Sequence, residues 1–221
     1  MPDAHGRPPM GVRDSLKSLN RAIRGCTRCR LAETRIHALC GEGPAGADLL
    51  LLAQAPGRVE DREGRMFIGP SGRVLDELLQ SAAIDRRAVY MTNLVKCMLP
   101  KYRRPKADEI ASCSRWLERE LALIRPTVVA SLGFFAIRFL FARYGLALPP
   151  KAEFSSLYGQ RVAVGDAILL PLRHPAAALY NPAIKPVLVR NYRLLGEIFA
   201  DLIKTPKRTR PHDDPPPANS N

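Results

Sequence analysis

Four of the five cysteines are spaced as ligands for a metal centre. Cys26 and Cys29 form a C-x-x-C pair, Cys97 and Cys113 lie far downstream, and Cys40 is left over. We expect a cytoplasmic chain, because its first residues lack the apolar run of a secretory signal, and disulfides are rare in that compartment. Four thiolates bind either a zinc ion or a [4Fe-4S] cluster. The spacing alone does not choose between these two and ordinary buried thiols.

A second group of polar residues comes at the ends of apolar runs that predict strands. Gln54 directly follows the first run, Asn93 lies near the end of the second, and His174 follows the last. The other three histidines lie in the terminal segments or beside the cysteines. In open α/β sheets, ligands bind in the crevice beyond the carboxyl ends of the strands. The pattern therefore predicts a site at that edge of a sheet.

The apolar pattern alternates between short runs of β type and longer stretches of helical periodicity. The predicted strands are 48–53, 88–95, 127–132, 161–164 and 167–171, and the predicted helices are 14–24, 71–83, 106–124, 133–144 and 184–203. This alternation predicts an α/β fold, a single three-layer domain with a central, mostly parallel four-stranded sheet flanked by helices. We expect the domain to span 13–204, between a disordered tail at 1–12 and a disordered basic, proline-rich tail at 205–221.

The formal net charge is +13, from 34 Lys and Arg against 21 Asp and Glu. Such an excess favours a polyanionic partner, since neutralising phosphates releases condensed counterions. An arginine-rich genome composition would produce the same excess. No apolar stretch reaches the roughly 18 residues that a membrane span needs. We expect a soluble, monomeric, nucleoid-associated protein that binds DNA and no membrane.

Several short motifs occur together between about 19 and 200. They are Cys26-Thr27-Arg28-Cys29, Gly41-Glu42-Gly43-Pro44, Gln54-Ala55-Pro56-Gly57, Gly64-Arg65-Met66-Phe67-Ile68-Gly69, Asn93-Leu94-Val95-Lys96-Cys97 and His174-Pro175. In this combination the chain resembles the iron-sulfur uracil-DNA glycosylases, family 4 of the uracil-DNA glycosylase superfamily. The resemblance implies hydrolysis of the N-glycosidic bond of uracil in single- or double-stranded DNA, the first step of base-excision repair. It leaves other deaminated bases open as substrates.

The resemblance also implies roles for particular residues. It implies a [4Fe-4S] cluster on the four spaced cysteines, with Phe67 stacking on the flipped base, Asn93 reading the uracil edge and His174 facing the uracil O2. An amide offers a donor and an acceptor together, which suits the uracil O4 and N3–H and not the cytosine edge. A fixed donor at the base oxygen stabilises the negative charge that develops as the bond breaks.

One position departs from the family pattern. Family members usually carry a glutamate that handles the attacking water where this chain has Gln54, and an amide orients water without accepting its proton. Three explanations are open: leaving-group stabilisation with Gln54 holding the water, a carboxylate from Glu60 or Asp61, or binding without cleavage. Ala55 replaces a glycine that some members have near the base, so we expect it to shape the pocket.

Two segments are candidates for DNA contact. Lys101, Arg103 and Arg104 surround an aromatic residue in a basic loop, a pattern that suits either phosphate contact or a solvated loop. Leu179 or Tyr180 is the candidate wedge for the gap that a flipped nucleotide leaves. No lysine lies in a motif typical of Schiff-base chemistry, so we expect a monofunctional enzyme.

Two alternative interpretations stay open at this point. One is a catalytically silent module of the same fold that binds DNA or its lesions. The other is a thiolate-zinc protein that binds nucleic acid without a pocket for a base. A cleavage assay on uracil-containing DNA separates the first from an enzyme, and visible absorption of the purified protein separates zinc from an iron-sulfur cluster.

Overall fold

The computed structural model describes residues 10–204, with side chains described for 15–202. The elements in chain order are α1 (Met10–Arg24), β1 (Leu49–Ala53), α2 (Arg58–Glu63), α3 (Pro70–Ser81), β2 (Val89–Asn93), α4 (Ala107–Ile124), β3 (Val128–Leu132), α5 (Phe134–Arg143), β4 (Val162–Val164), β5 (Ala167–Leu172), α6 (Ala177–Tyr180) and α7 (Lys185–Lys204). Short 3-10 helices occupy Arg30–Glu33, Arg86–Ala88, Pro100–Tyr102, Lys151–Leu157 and Pro182–Ile184. The predicted tail at 205–221 lies outside the described residues, as does most of the predicted tail at 1–12, and the domain limits stay a prediction.

All five strands belong to one sheet, in the order β2-β1-β3-β5-β4. The pairs of β1 with β2, β1 with β3 and β3 with β5 are parallel, and β4 pairs with β5 in the antiparallel sense. Every residue of β1, β2 and β3 is buried, as a parallel sheet covered on both faces requires. The predicted α/β fold is confirmed. The sheet has five strands rather than four, because the hairpin strand β4 extends the edge of the four parallel ones.

Helices cover both faces of the sheet and enclose two apolar cores. α3 and α7 supply the core on one face, and α1, α4 and α5 supply the core on the other. This helix-sheet-helix order is the three-layer arrangement that the sequence predicts. Within the described part of the chain, no helix is both long enough and apolar enough to cross a membrane.

The second strand ends at Asn93, two residues before the predicted end. Leu94 and Val95 remain buried, but their N–H groups donate to the carbonyl oxygens of Ala53 and Gln54 at 2.8 and 2.9 Å. These two bonds continue the pairing of the two backbone segments past the ends of β1 and β2. They hold the residues that follow the two strands side by side.

A buried ion pair joins the end of β2 to α4. Lys96 Nζ lies 2.5 Å from Glu120 Oε2 and 2.6 Å from Thr92 Oγ1, and the two charged side chains are 1% and 0% exposed. The other carboxylate oxygen accepts the Gly41 N–H at 3.0 Å and the Tyr90 hydroxyl at 3.4 Å. Each charge is therefore compensated and hydrogen-bonded. Removal of either partner leaves a buried charge without its counter-charge.

We expect Glu120→Ala to lower the free energy of unfolding by about 3–5 kcal/mol, because the Lys96 ammonium stays buried without a carboxylate. Glu118→Ala is the matched control on the same helix. Glu118 pairs with Arg143 at 2.8 Å on the surface, and loss of such an exposed pair costs about 1 kcal/mol or less. Urea unfolding measures both variants. An equally small decrease in the free energy of unfolding for both variants would contradict a stabilising role of the buried pair.

Candidate active site

A cleft of about 580 Å³ opens at the carboxyl ends of β1, β2 and β5. It is the place where the sequence predicts a site. The predicted site residues that line it are Gln54, Ala55, Phe67, Asn93, Arg103, His174, Leu179 and Tyr180. Three other predicted residues, Asp61, Lys101 and Arg104, do not line it.

His174 is held in one tautomer beside the cleft. The Ala176 N–H donates to its Nδ1 at 3.1 Å, so the hydrogen of the neutral ring is on Nε2. Desolvation lowers the pKa of His174 to about 4, and the imidazole is therefore neutral at physiological pH. Its ring lies 6.0 Å from the ring of Phe67, at an interplanar angle of 27°. This arrangement offers the cleft an uncharged Nε2–H donor.

Asn93 is buried at the last position of β2, opposite Ala53 of β1. Its Nδ2 donates to Met66 Sδ at 3.2 Å, which fixes the orientation of the amide in the wall of the cleft. Met66 and Leu99 also line the cleft, although sequence reasoning did not assign a role to either. Neither residue type has a chemical signature, so only the tertiary structure reveals them.

Phe67 is held at the cleft in a strained backbone conformation. Its φ is +52°, in the left-handed region that a bulky residue rarely adopts. A Cβ on Gly72 would lie 1.8 Å from the Phe67 carbonyl oxygen, so only glycine permits this approach of α3. Arg86 donates to the carbonyl oxygens of Met66 and Phe67 at 3.0 and 3.3 Å, and Glu42 accepts the Met66 N–H at 2.9 Å. The upstream glutamate thus positions the Phe67 segment.

The carboxylate of Glu60 lines the cleft, and so does the amide of Gln54. Its Oε1 accepts the Gly69 N–H at 2.8 Å. A Cβ on Gly57 would lie 2.5 Å from Oε2, so the glycine leaves space for the carboxylate. Of the two carboxylates that follow the first strand, Glu60 is the one that the fold brings to the site.

Asp61 has a different position, away from the cleft lining. Its carboxylate accepts the N–H groups of Ile36, at 3.2 and 3.1 Å, and of His37, at 3.3 Å. Its backbone carbonyl oxygen lies 2.7 Å from His37 Nδ1. Asp61 therefore holds the segment that follows the first two cysteines. The structure does not bring it to the position of the predicted catalytic carboxylate.

The basic loop is organised around a buried carboxylate. Arg103 donates to both oxygens of Glu109, at 2.8 and 2.5 Å, and the same carboxylate accepts the Lys106 N–H at 2.8 Å. The hydrogen bonds from Arg103 lower the pKa of Glu109. The charge of Arg103 is therefore already paired, and its first role is to hold the loop.

Exposed side chains stand at the mouth of the cleft. Tyr102, Leu179 and Tyr180 line it and are exposed, with Tyr180 at 89%. Lys101 and Arg104 are exposed in the same loop as Tyr102 but lie outside the lining. Lys101 and Tyr102 both have a positive φ, of 52° and 54°. The loop is thus bent sharply where it meets the cleft.

The four cysteines predicted as ligands line a second cavity, on the face of the sheet that α1 and α4 cover. Arg35 donates to Cys97 Sγ at 3.4 Å, and the Lys96 N–H donates to Cys113 Sγ at 3.2 Å. The described cysteines form no disulfide. In the described part of the chain, no three His, Cys, Asp or Glu side chains form a group that could hold a metal ion. The four cysteines share the lining of this cavity.

Burial raises the pKa of the Cys97 thiol and raises that of Cys113 to about 12. Cys40 lies apart from the cavity, and its Sγ donates to the Asn20 carbonyl oxygen at 3.3 Å. Burial raises its pKa as well, as expected of an unreactive core thiol.

Comparison with known proteins agrees with this architecture. A family model described as the uracil DNA glycosylase superfamily matches residues 40–203. A type-4 uracil-DNA glycosylase of Sulfurisphaera tokodaii is 34% identical over 203 residues, covering 88% of this chain and 88% of the relative. Proteins of the same name from Saccharolobus solfataricus and Archaeoglobus fulgidus are 36% and 34% identical, covering 85% and 84% of this chain and 88% and 94% of the relatives.

An α/β sheet with this cleft beyond its strand ends, together with the match over 40–203, defines a member of the uracil-DNA glycosylase superfamily. Within it, the chain belongs to the type-4 uracil-DNA glycosylases. The resemblance seen in the sequence motifs is thereby confirmed.

We expect the His174 ring to titrate near pH 4 and to carry its hydrogen on Nε2 at neutral pH, because it is desolvated and its Nδ1 accepts a backbone N–H. Lowering the pH from 8 to 5 should therefore leave the ring neutral. Nitrogen chemical shifts of labelled histidine, with His174→Gln to assign the signal, measure both properties. A midpoint near the ordinary value of about 6.5 would contradict this description of the site.

Proposed function

We propose that the chain hydrolyses the N-glycosidic bond of uracil in DNA and so initiates base-excision repair. The main support is that Phe67, Asn93 and His174, from three separate segments, line one cleft. The names of the type-4 relatives support the same activity, and the net charge of +13 suits a DNA substrate. That the enzyme is monomeric and nucleoid-associated stays a prediction.

The extruded uracil stacks on Phe67 in this proposal and is read by Asn93. Stacking of a base on an aromatic ring contributes about 1–3 kcal/mol. The bond from Asn93 Nδ2 to Met66 Sδ orients the amide, whose carbonyl oxygen and second hydrogen match the uracil N3–H and O4. Cytosine presents the reverse pattern and would leave buried polar groups unpaired. Ala55 narrows the pocket relative to glycine.

His174 stabilises the departing base as the bond breaks. Cleavage leaves positive charge on the sugar and negative charge on the uracil, which is greatest at its oxygens. A neutral Nε2–H at the uracil O2 donates a hydrogen bond that strengthens as this charge develops. Because the ring is held by the Ala176 N–H, the donor does not need to reorient during the reaction. The group acts as an electrostatic stabiliser and keeps its proton.

Gln54 orients the attacking water in this proposal, and Glu60 is the candidate carboxylate that lines the same cleft. An amide cannot accept the proton of the water. Leaving-group stabilisation therefore supplies most of the rate. The water attacks a sugar that already carries much positive charge, and the proton that it loses reaches the uracil anion by way of solvent. Asp61 has no part in this scheme, because its oxygens bind the backbone of 36–37.

A [4Fe-4S] cluster is the group that fits the four cysteines of the second cavity. Each iron of such a cluster would take one thiolate, and the four cysteines line the same cavity. The donors from Arg35 and the Lys96 N–H stabilise thiolate sulfur. The cluster would supply no step of the hydrolysis. Bound to Cys26, Cys29, Cys97 and Cys113, it would link the segments before β1, after β2 and in α4.

A catalytically silent DNA-binding module is the second candidate, because Gln54 stands where family members have a glutamate. The two functions differ in a single measurement on the purified protein. Release of uracil from a uracil-containing oligonucleotide establishes the glycosylase. Tight binding of the same oligonucleotide without release establishes the silent module.

We expect His174→Ala and Asn93→Ala each to lower the single-turnover rate of uracil release by about 10²- to 10³-fold, since each removes a polar group aimed at the base. Asn191→Ala is the matched control, because Asn191 lies in α7 outside the cleft. It should cleave at the wild-type rate. Unchanged cleavage in either cleft variant, with folding intact, would remove that residue from the mechanism.

We expect the protein purified without oxygen to be brown and to contain iron and acid-labile sulfide in equal amounts. Cys97→Ser should lose the visible absorption and much of its thermal stability, because one ligand of the cluster is gone. Cys40→Ser is the matched control and should keep both, since Cys40 lies outside the cavity. Stoichiometric zinc in place of iron would overturn the assignment of the cluster.

A further inference from the structure

An aromatic cluster lies beside the cleft, and the proposed reaction does not use it. Phe134 begins α5 directly after β3, and its ring lies 4.8 Å from that of Phe154 and 5.3 Å from that of Phe135. Tyr158 continues the cluster at 6.0 Å from Phe154. Phe134 is 40% exposed. We call Phe134, Phe154 and Tyr158 the aromatic platform.

Two arginines border the aromatic platform. The guanidinium of Arg138 lies 5.4 Å from the ring centre of Phe134, and that of Arg173 lies 4.2 Å from the ring centre of Tyr158. Neither arginine forms an ion pair with a carboxylate in the described residues. The Nε of Arg173 is also buried without an acceptor there. Positive charge at the platform is therefore not neutralised by the protein, which suits an anionic partner.

The aromatic platform adjoins the histidine of the cleft. Arg173 directly precedes His174 in the chain. The Gly133 N–H donates to the Leu172 carbonyl oxygen at 2.8 Å, and a Cβ on Gly133 would lie 3.5 Å from His174 Cβ. The peptide that leads into Phe134 thus lies next to the Leu172 backbone and the Cβ of His174. The aromatic platform and the cleft therefore lie at the same edge of the sheet.

We propose that the aromatic platform binds a base next to the uracil on the same DNA strand, with Phe134 as the stacking surface and Arg138 and Arg173 facing the neighbouring phosphates. The inference rests on the proposed function, since the uracil in the cleft sets the position of the strand. Aromatic rings accept any base by stacking. The platform therefore adds affinity for unpaired DNA without selecting a sequence, and it acts on substrate binding more than on bond cleavage.

Phe134→Leu tests the proposal, because leucine keeps an apolar side chain and removes the flat ring. We expect KM and Kd for a single-stranded oligonucleotide with one central uracil to rise about tenfold, with kcat nearly unchanged. Phe134→Trp keeps a flat aromatic ring, so its KM and Kd should be those of the wild type. Tyr144→Leu is the matched control. Tyr144 follows the other end of α5, and the guanidinium of Arg143 lies 4.7 Å from its ring centre. It should bind as the wild type.

A second substrate separates stacking from packing. In it, the nucleotides beside the uracil are abasic, so that every phosphate is kept while the neighbouring bases are absent. Phe134→Leu should bind this substrate as well as the wild type does. Arg138→Gln should weaken binding of both substrates and reduce the salt dependence by about one counterion.

Phe134→Leu would overturn the proposal if it lost the same affinity for both substrates, or lost none for either. The aromatic platform would then serve only as packing for the segment Lys151–Leu157. The Kd for each substrate is measured separately from the release of uracil. If the wild-type protein releases no uracil, the proposed hydrolysis fails, whereas the Kd values for the two substrates still decide the role of the aromatic platform.

Discussion

The site depends on the parallel pairing of the central strands. In a parallel sheet the carboxyl ends of all strands meet at one edge, so Gln54, Asn93 and His174 become neighbours although they lie far apart in the chain. The N–H groups of Leu94 and Val95 then extend the contact between β1 and β2 beyond the strands themselves. The cleft is therefore a consequence of the sheet, and each side chain in it is placed by a strand end.

Helix α4 connects this edge to the thiol cavity and to the basic loop. Glu120 binds Lys96, Cys113 faces the other cysteines, and Glu109, one turn before Cys113, holds Arg103. One helix therefore contacts the segment after β2 at three places. The proposed cluster would add a fourth link, through Cys97 and Cys113, between this segment and α4.

Three acidic side chains near the chain segments of the site, Glu42, Glu60 and Asp61, accept hydrogen bonds from backbone N–H groups. Glu42 accepts the Met66 N–H, Asp61 accepts those of the segment 36–37, and Glu60 accepts that of Gly69. The bonds of Glu42 and Glu60 hold loops at the cleft, including the segment of the strained Phe67. Charged side chains such as Glu60 and Arg103 line part of the cleft, while desolvation keeps His174 neutral there. A neutral donor suits the proposed stabilisation of charge that develops only during the reaction.

The sequence by itself determined the α/β class, the parallel core of the sheet, the four cysteines that share a cavity, and the position of Gln54, Asn93 and His174 at strand ends. These follow from local periodicity and from residue types whose chemistry is distinctive. The tertiary structure decided the rest: the addition of the hairpin strand β4 to the sheet, the position of Glu60 rather than Asp61 in the cleft lining, the pairing of Arg103 with Glu109, and the contact of Met66 with Asn93. The carboxylates at 60 and 61 are adjacent in the chain and alike in chemistry. Only packing, which turns one toward the cleft and the other toward the backbone of 36–37, separates them.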